Sequence, residues 1–389
     1  MSLKIFITSF LLATLSLTGQ AQTPAAEHLN DYIPLLTNKR TGLVANHTSL
    51  AGNKHLLDVL IENNINIVNV YAPEHGFRGT AAEGEVINHS VDSKTGITIV
   101  SLYGKNKKPT AKQLEGLDCM VFDMQDVGTR FYTYLSTMHY VMEACAENKI
   151  PVIILDRPNP NGFYIDGPIL QPEHKSFVGM HPIPIVHGMT LGELAQMING
   201  ERWLANKLKC DLTVIKCKDY THQSRYQLPV RPSPNLPNMT SVYLYPTLCL
   251  FEGTAVSVGR GTDSPFQVFG HPNFKGKKGY EFVFTPKGAK SSLKPALDGQ
   301  ACYGKNFSQT ADIPKIIDNQ IRLEWIIDAY KNFSPKDKFF TSYFYTLTGN
   351  KTLRKQIEEG KTVNEIRATW KKGLDEFKVL RKKYLLYDE

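Results

Sequence analysis

The sequence predicts an α/β protein: a Rossmann-like, doubly wound domain followed by a smaller α+β domain. Three observations carry this reading. Apolar runs at 65–70 (INIVNV) and 119–122 (CMVF) lack polar alternation, as strands covered on both faces do. Helical patterns separate such runs throughout the first half, and βαβα alternation calls for a parallel sheet. Beyond about residue 240 the pattern changes to a strand at 280–284 mixed with charged amphipathic helices at 323–330 and 363–384. The expected divisions are therefore 1–21, 22–240 and 241–389.

Taken in order, 42–46 (GLVAN) reads as the first strand and 46–49 as the loop at its end. A helix follows at 56–61, then the INIVNV strand. Gly76, Gly79 and Gly84 make 76–88 a loop, and long irregular loops in compact domains tend to be functional. A strand at 98–102 closes at Tyr103-Gly104. Thr110 and Gln113 form a capping box that opens a short helix before CMVF. Phe131, Leu135, Met138, Met142 and Cys145 recur at helical spacing, which predicts an amphipathic helix over 131–147. Strands are expected at 151–156, 183–188 and 212–217. A second capping box, Thr190 with Glu193, opens a helix to about 199. The proline-dense stretch 231–237 is either a linker or a cleft wall, and 250–271 is rich in glycine and polar groups.

The bulk composition narrows the function. With 389 residues, 42% hydrophobic and 21% charged, the chain is long enough for two domains and a sizeable core. The first 21 residues carry one charge, Lys4, then an apolar run and small residues ending at Ala21, the outline of a secretory signal peptide. The mature protein is expected in the periplasm or outside the cell. No later stretch is long and apolar enough to insert into a membrane. Loss of the signal lowers the formal charge from +8 to +7. That surplus fits a solubilising surface or acidic partners, and no basic run with interleaved aromatics points to nucleic acid. Six cysteines are too sparse for a disulfide scaffold. Cys119 and Cys145 read as buried hydrophobes, and Cys210 and Cys217 could be bridged.

No G-x-G-x-x-G follows the first strand, so the fold implies no dinucleotide cofactor. There is no H-E-x-x-H or Cys-x-x-Cys metal motif and no G-x-S-x-G elbow. No cofactor or metal is therefore expected. In open parallel sheets ligands bind beyond the carboxyl ends of the strands. Asn46, Glu74, His75, Arg78, Asp123, Asp126, Arg130, Asp156 and Arg157 all fall at or just beyond such ends. Acids and arginines gathered there suit an anionic, hydroxyl-rich ligand. A partly desolvated Glu74 would donate a proton, although an ion pair with Arg78 is the plainer alternative. Asp123 and Asp126 offer a second carboxylate, and an acid paired with a base or nucleophile is the arrangement of glycoside hydrolysis. Asp126 could equally cap the helix near Thr129. Arg78, Arg130, Arg157 and Arg260 can each bind a carboxylate, and Tyr103, Phe131, Tyr132 and Tyr134 could stack on a sugar or simply pack.

The segments GLVAN (42–46), PEHGFRG (73–79), SLYG (101–104), FDMQDVGTRFYTY (122–134), LDRPNP (155–160), EGT (252–254) and GRGTD (259–263) resemble one family, the exo-β-N-acetylmuramidases of bacterial cell-wall recycling. The resemblance runs from about residue 30 to the C-terminus. It implies a Rossmann-like domain with a C-terminal auxiliary domain and an active site in the cleft between them. It also implies release of terminal N-acetylmuramic acid from the non-reducing ends of peptidoglycan fragments, the partner expected here. It assigns the catalytic glutamate to Glu74 and leaves the second group open among Asp126, Asp123 and Glu85. Ligand-binding candidates are Asn46, His75, Arg78, Glu85, Tyr103, Arg130, Tyr132, Asp156, Arg157, Arg260 and Asp263, with an arginine holding the lactyl carboxylate. The rival readings are a non-catalytic muropeptide-binding protein and a cell-wall esterase or deacylase.

Overall fold

Seven strands form the main sheet of the computed structural model, which describes residues 22–73, 77 and 90–389. Six of them are parallel: β1 (Arg40–Ala45), β2 (Asn66–Ala72), β3 (Thr98–Ser101), β4 (Cys119–Asp123), β5 (Val152–Leu155) and β6 (Leu212–Ile215). Their spatial order is β3-β2-β1-β4-β5-β6, with the two-residue strand Ser90–Val91 antiparallel outside β3. The chain steps outward from β1 to β3, then crosses back to lay β4 on the other side of β1. The order therefore reverses between β1 and β4.

Alternate strand residues bury on opposite faces, which is why these strands read as continuous apolar runs. Leu43, Val70, Val121 and Ile153 face one core, under α1 (Leu29–Leu36) and α2 (Leu56–Glu62). Val44, Tyr71, Phe122 and Ile154 face the other, under α3 (Tyr134–Glu147) and α4 (Leu191–Gly200). Both predicted capping boxes form, at Thr110 with Gln113 and at Thr190 with Glu193.

The second half adds α5 (Met239–Leu248), a three-stranded antiparallel sheet of β7 (Val268–His271), β8 (Phe282–Phe284) and β9 (Cys302–Asn306), then α6 (Leu323–Asn332) and α7 (Val363–Arg381). Its buried residues Val242, Phe251, Phe269, Trp325 and Phe377 belong to the same apolar cluster as Phe122 and Met138. Polar ties reinforce the seam. Arg367 grips Asp166 at 2.8 and 3.0 Å, and Asp166 also accepts the Ile321 amide at 2.7 Å.

Two of the expected elements need correction. The stretch 183–188 is not a strand; Val186 makes only isolated bridges to Thr129 and Asp166. That bridge, with the Arg130 amide on the Ile185 carbonyl, holds 129–130 out of helical geometry, so α3 starts at Tyr134 rather than 131. Helix α5, which spans residue 240, was not identified from the sequence pattern. Cys210 and Cys217 are both free and buried. The segment 1–21 lies outside the described residues; among the described residues no helix is long and apolar enough to cross a membrane.

Candidate active site

Register brings the predicted strand ends to one edge. Val44 lies beside Tyr71, Ala45 beside Asp123, and Ala72 beside Ser101. Asn46, Pro73, Asp123 and the segment leading to Tyr103 thus leave the sheet together at the reversal between β1 and β4. Glu74 follows Pro73 directly in sequence, but Glu74, His75, Arg78 and Glu85, with the loop expected at 76–88, lie outside the described residues apart from Phe77.

The edge is stitched by small polar groups. The Asn46 side-chain oxygen accepts from the Thr48 amide at 2.8 Å and hydroxyl at 2.6 Å, and the Thr48 hydroxyl accepts from the Gln125 amide at 3.0 Å. Asp126 Oδ1 accepts from the Gly128 amide at 2.6 Å. Gly128 has φ +82°, and a Cβ there would strike Asn159 at 2.2 Å, so this turn requires glycine. Asp126 therefore caps the turn at Gly128 rather than a helix. Three neighbouring polar atoms are buried with no partner among the described residues: Asn46 Nδ2, Gln125 Oε1 and Asp126 Oδ2. Unsatisfied buried groups are rare and call for a reason. Burial, only partly offset by the Gly128 and Val127 amides, pushes the Asp126 carboxyl up to about 7.

Other charges at this edge are held by protein partners. Arg157 holds both oxygens of Asp123, at 2.5 and 2.8 Å, and donates to the Leu50 carbonyl at 2.7 Å. Neither side chain of this pair has appreciable solvent contact, at 2% and 0% exposure. Asp156 accepts from the Thr190 hydroxyl, the Gly192 amide and the Tyr387 hydroxyl at 2.6–2.8 Å, and burial raises its carboxyl to about 6. Arg130 spends its guanidinium on four carbonyls, those of Pro168, Ile183, Leu347 and Thr348, at 2.7–3.1 Å. It staples the two halves together. Asp263 is exposed on the surface.

A cleft of about 440 Å³ gathers a different set. Tyr103, Phe131, Tyr132, Tyr134 and Phe177 come from the first half, and Tyr245, Phe266 and Tyr343 from the second. The rings interlock edge to face: Tyr132 meets Tyr134 at 4.9 Å and Tyr245 at 5.9 Å, and Tyr245 meets Phe266 at 5.0 Å. The Tyr132 hydroxyl donates to the Pro232 carbonyl at 2.9 Å. Ser233, Asn235 and Leu236 line the space, so the proline-dense segment is a cleft wall. Arg260 completes it, bonded through Nε to Glu252 Oε1 at 2.6 Å and lying 4.8 Å from the Phe266 ring centre. Lys107 sits 4.2 Å from the Phe177 ring centre.

Of the predicted residues, the structure brings Tyr103, Phe131, Tyr132, Tyr134 and Arg260 to the cleft. Asn46, Asp123, Asp126, Arg130, Asp156, Arg157 and Asp263 do not line it. Sequence reasoning missed Glu252, the one carboxylate among the described lining residues, although it opens the EGT segment that carried the resemblance. It also missed Lys107, Phe177, Tyr245 and Tyr343, which no motif marks. Aromatic faces suit the apolar faces of a sugar, and a guanidinium suits a carboxylate. Among the described residues no group of three or more histidines, cysteines or acids could hold a metal ion.

Comparisons with known proteins agree with a carbohydrate site. The chain is 41% identical over 394 aligned positions to the peptidoglycan beta-N-acetylmuramidase NamZ of Bacillus subtilis (strain 168), covering 95% of this chain and 92% of that protein. Two solved Bacteroides fragilis proteins of the DUF1343 family share the architecture. One has a TM-score of 0.88 at 51% identity, covering 95% of this chain and 99% of its own; the other has 0.79 at 29%, covering 94% and 99%. The N-terminal and C-terminal sequence models of exo-beta-N-acetylmuramidase NamZ match residues 41–240 and 243–387, so nearly the whole chain belongs to the NamZ family of exo-beta-N-acetylmuramidases.

Proposed function

We propose that this protein is an exo-acting glycoside hydrolase that releases β-linked N-acetylmuramic acid from the non-reducing ends of peptidoglycan fragments. The observation that carries the reading is the aromatic cleft with the Glu252–Arg260 pair in its wall, built from both halves of a chain of this family. The first half, 22–240, is a Rossmann-like, doubly wound catalytic domain and 241–389 an auxiliary domain. The strand order with its reversal between β1 and β4 supports the former. The apolar segment at 1–21 supports export to the periplasm or beyond, where the substrate is.

In this reading Glu74, at the exit of β2, is the general acid that protonates the leaving glycosidic oxygen. Asp126, held near neutrality by burial, orients or accepts a proton at the same edge. Asp123 is withdrawn from that role by Arg157. The tyrosines hold the sugar ring. Arg260, kept at the wall by Glu252, pairs with the lactyl carboxylate, the part that Arg130 cannot play. If the N-acetyl group of the substrate is itself the nucleophile, one enzymic acid and one orienting carboxylate suffice.

The test is incubation with a chromogenic β-N-acetylmuraminide beside the matching β-N-acetylglucosaminide. Release from the muraminide alone, lost by at least about 10³-fold in Glu74→Gln, is the expected result. Saturable binding of muropeptides with no product from either compound would make the protein a glycan-binding module instead. Release of an acyl group with the glycosidic bond whole would make it an esterase.

A further inference from the structure

A second pocket, of about 470 Å³, shares Glu252 and Arg260 with the aromatic cleft, so this ion pair is the threshold between the two spaces. Its other side is formed by 292–296, including Leu293 and Lys294. The loop that carries these residues is fastened to the cleft. The Lys287 amide bonds to the Gly261 carbonyl, next to Arg260, at 3.0 Å, and Asn235 of the cleft wall donates to the Ser291 carbonyl at 3.0 Å. Ala289 and Ser292 close a tight turn that includes the second anchor, Ser291.

The charge of this rim is lopsided. Lys287, Lys290 and Lys294 are all exposed, against only Asp298 in 287–299. Surface lysines elsewhere in the chain are often matched, as Lys371 is with Asp375 and Lys54 with Glu62. None of Lys287, Lys290 and Lys294 has an acidic partner among the described residues. An unmatched basic rim at the mouth of a site concentrates anionic ligands.

We infer that this second pocket and its lysine rim form a subsite for the strand beyond the cleaved bond, recognising the carboxylates borne by the next muramoyl unit. The inference rests on the proposed exo-muramidase reading. An enzyme that removes one terminal sugar must let the rest of the strand out of the cleft. The exit marked by the shared Glu252–Arg260 threshold leads to the basic rim. The carboxylates on the emerging strand recur at every second sugar, so a disaccharide offers the rim nothing while a tetrasaccharide does.

The test compares a MurNAc-GlcNAc disaccharide with the corresponding tetrasaccharide, for the full-length wild type and a triple variant, Lys287→Gln, Lys290→Gln and Lys294→Gln. In the wild type kcat/KM is expected to be about tenfold higher on the tetrasaccharide, mainly through KM. That advantage should shrink as salt rises from about 0.05 to about 0.3 M. The triple variant should lose most of the advantage while its disaccharide turnover changes less than about twofold. Equal wild-type efficiency on both lengths, or a length preference that survives in the triple variant, overturns the subsite. If neither substrate is cleaved, the hydrolase reading fails on its own. Calorimetric binding of the tetrasaccharide then decides the subsite: weaker binding to the triple variant upholds it, and equal affinity overturns it.

Discussion

The strand-end edge and the aromatic cleft both carry acids beside arginines, yet they use them in opposite ways. At the edge, Asp123 and Arg157 are sealed from water and hold each other by two bonds. In the cleft, Glu252 and Arg260 make one bond at 2.6 Å and keep 21% and 17% of their side chains exposed. A sealed pair maintains the fold, because removing either partner strands a buried charge. A half-exposed pair costs little to keep and remains in reach of a ligand. Burial, rather than position at a strand end, separates the two uses.

The largest effect that would test this contrast is on the sealed pair. Asp123→Ala leaves Arg157 buried and uncompensated, which is expected to cost about 3–5 kcal/mol of stability. A urea midpoint near the wild-type value would break the comparison. Arg130→Met is next. It strips partners from four carbonyls, two of them in the second half, at roughly 3 kcal/mol in total. Limited proteolysis should then cut the seam near 347–348 faster. Glu252→Gln should do the reverse. Stability should stay within about 1 kcal/mol. Activity should fall about tenfold to a hundredfold in kcat/KM, the worth of one charge-assisted hydrogen bond of ~1.5–3 kcal/mol. Lower stability with full activity would assign this pair to the fold as well.

The parts of the molecule that repeat a physical rule were legible in the sequence. Strands buried on both faces announce themselves as unbroken apolar runs, and Thr190 with Glu193 announces a helix start; the structure has both. Helix α5 gave no such signal, because it is apolar almost all round and carries Pro246, so no stripe emerges. The cleft was only partly readable. Tyr103 and Tyr132 lie near strand ends, whereas Tyr245, Phe266 and Tyr343 reach it by tertiary packing, which leaves no local pattern. Arg130 misled for a related reason. Its position after a strand end is that of a ligand-binding arginine, but its partners are carbonyls 38 to 218 residues away.

Asp126 stands between the two kinds of site, buried like Asp123 but half unpartnered. Desolvation lifts its carboxyl from 3.8 to about 7, so the folded state holds this proton more tightly than the unfolded chain does. Its contribution to stability is therefore full below about 4 and is lost as pH rises through about 7. Asp126→Asn should flatten that part of the stability–pH curve, measured by thermal melts across pH 4–8. If Asp126 takes part in proton transfer, the same substitution also removes a limb near pH 7 from the pH profile of kcat/KM, an effect a purely structural aspartate would not have.

The smallest expected effect belongs to Asp263, which ends the GRGTD segment three residues after Arg260. Proximity in sequence made it a candidate; the structure turns it to the surface, outside the cleft. Asp263→Ala should change stability by no more than about 0.5 kcal/mol and leave muraminide turnover within about twofold of wild type. The value of so small a number lies in its contrast with Glu252, eleven positions earlier on the same stretch of chain. If Asp263→Ala cost as much activity as Glu252→Gln, exposure would not be what sorts these acids. The distinction between sealed, half-exposed and solvated carboxylates would then have to give way to position in the motif.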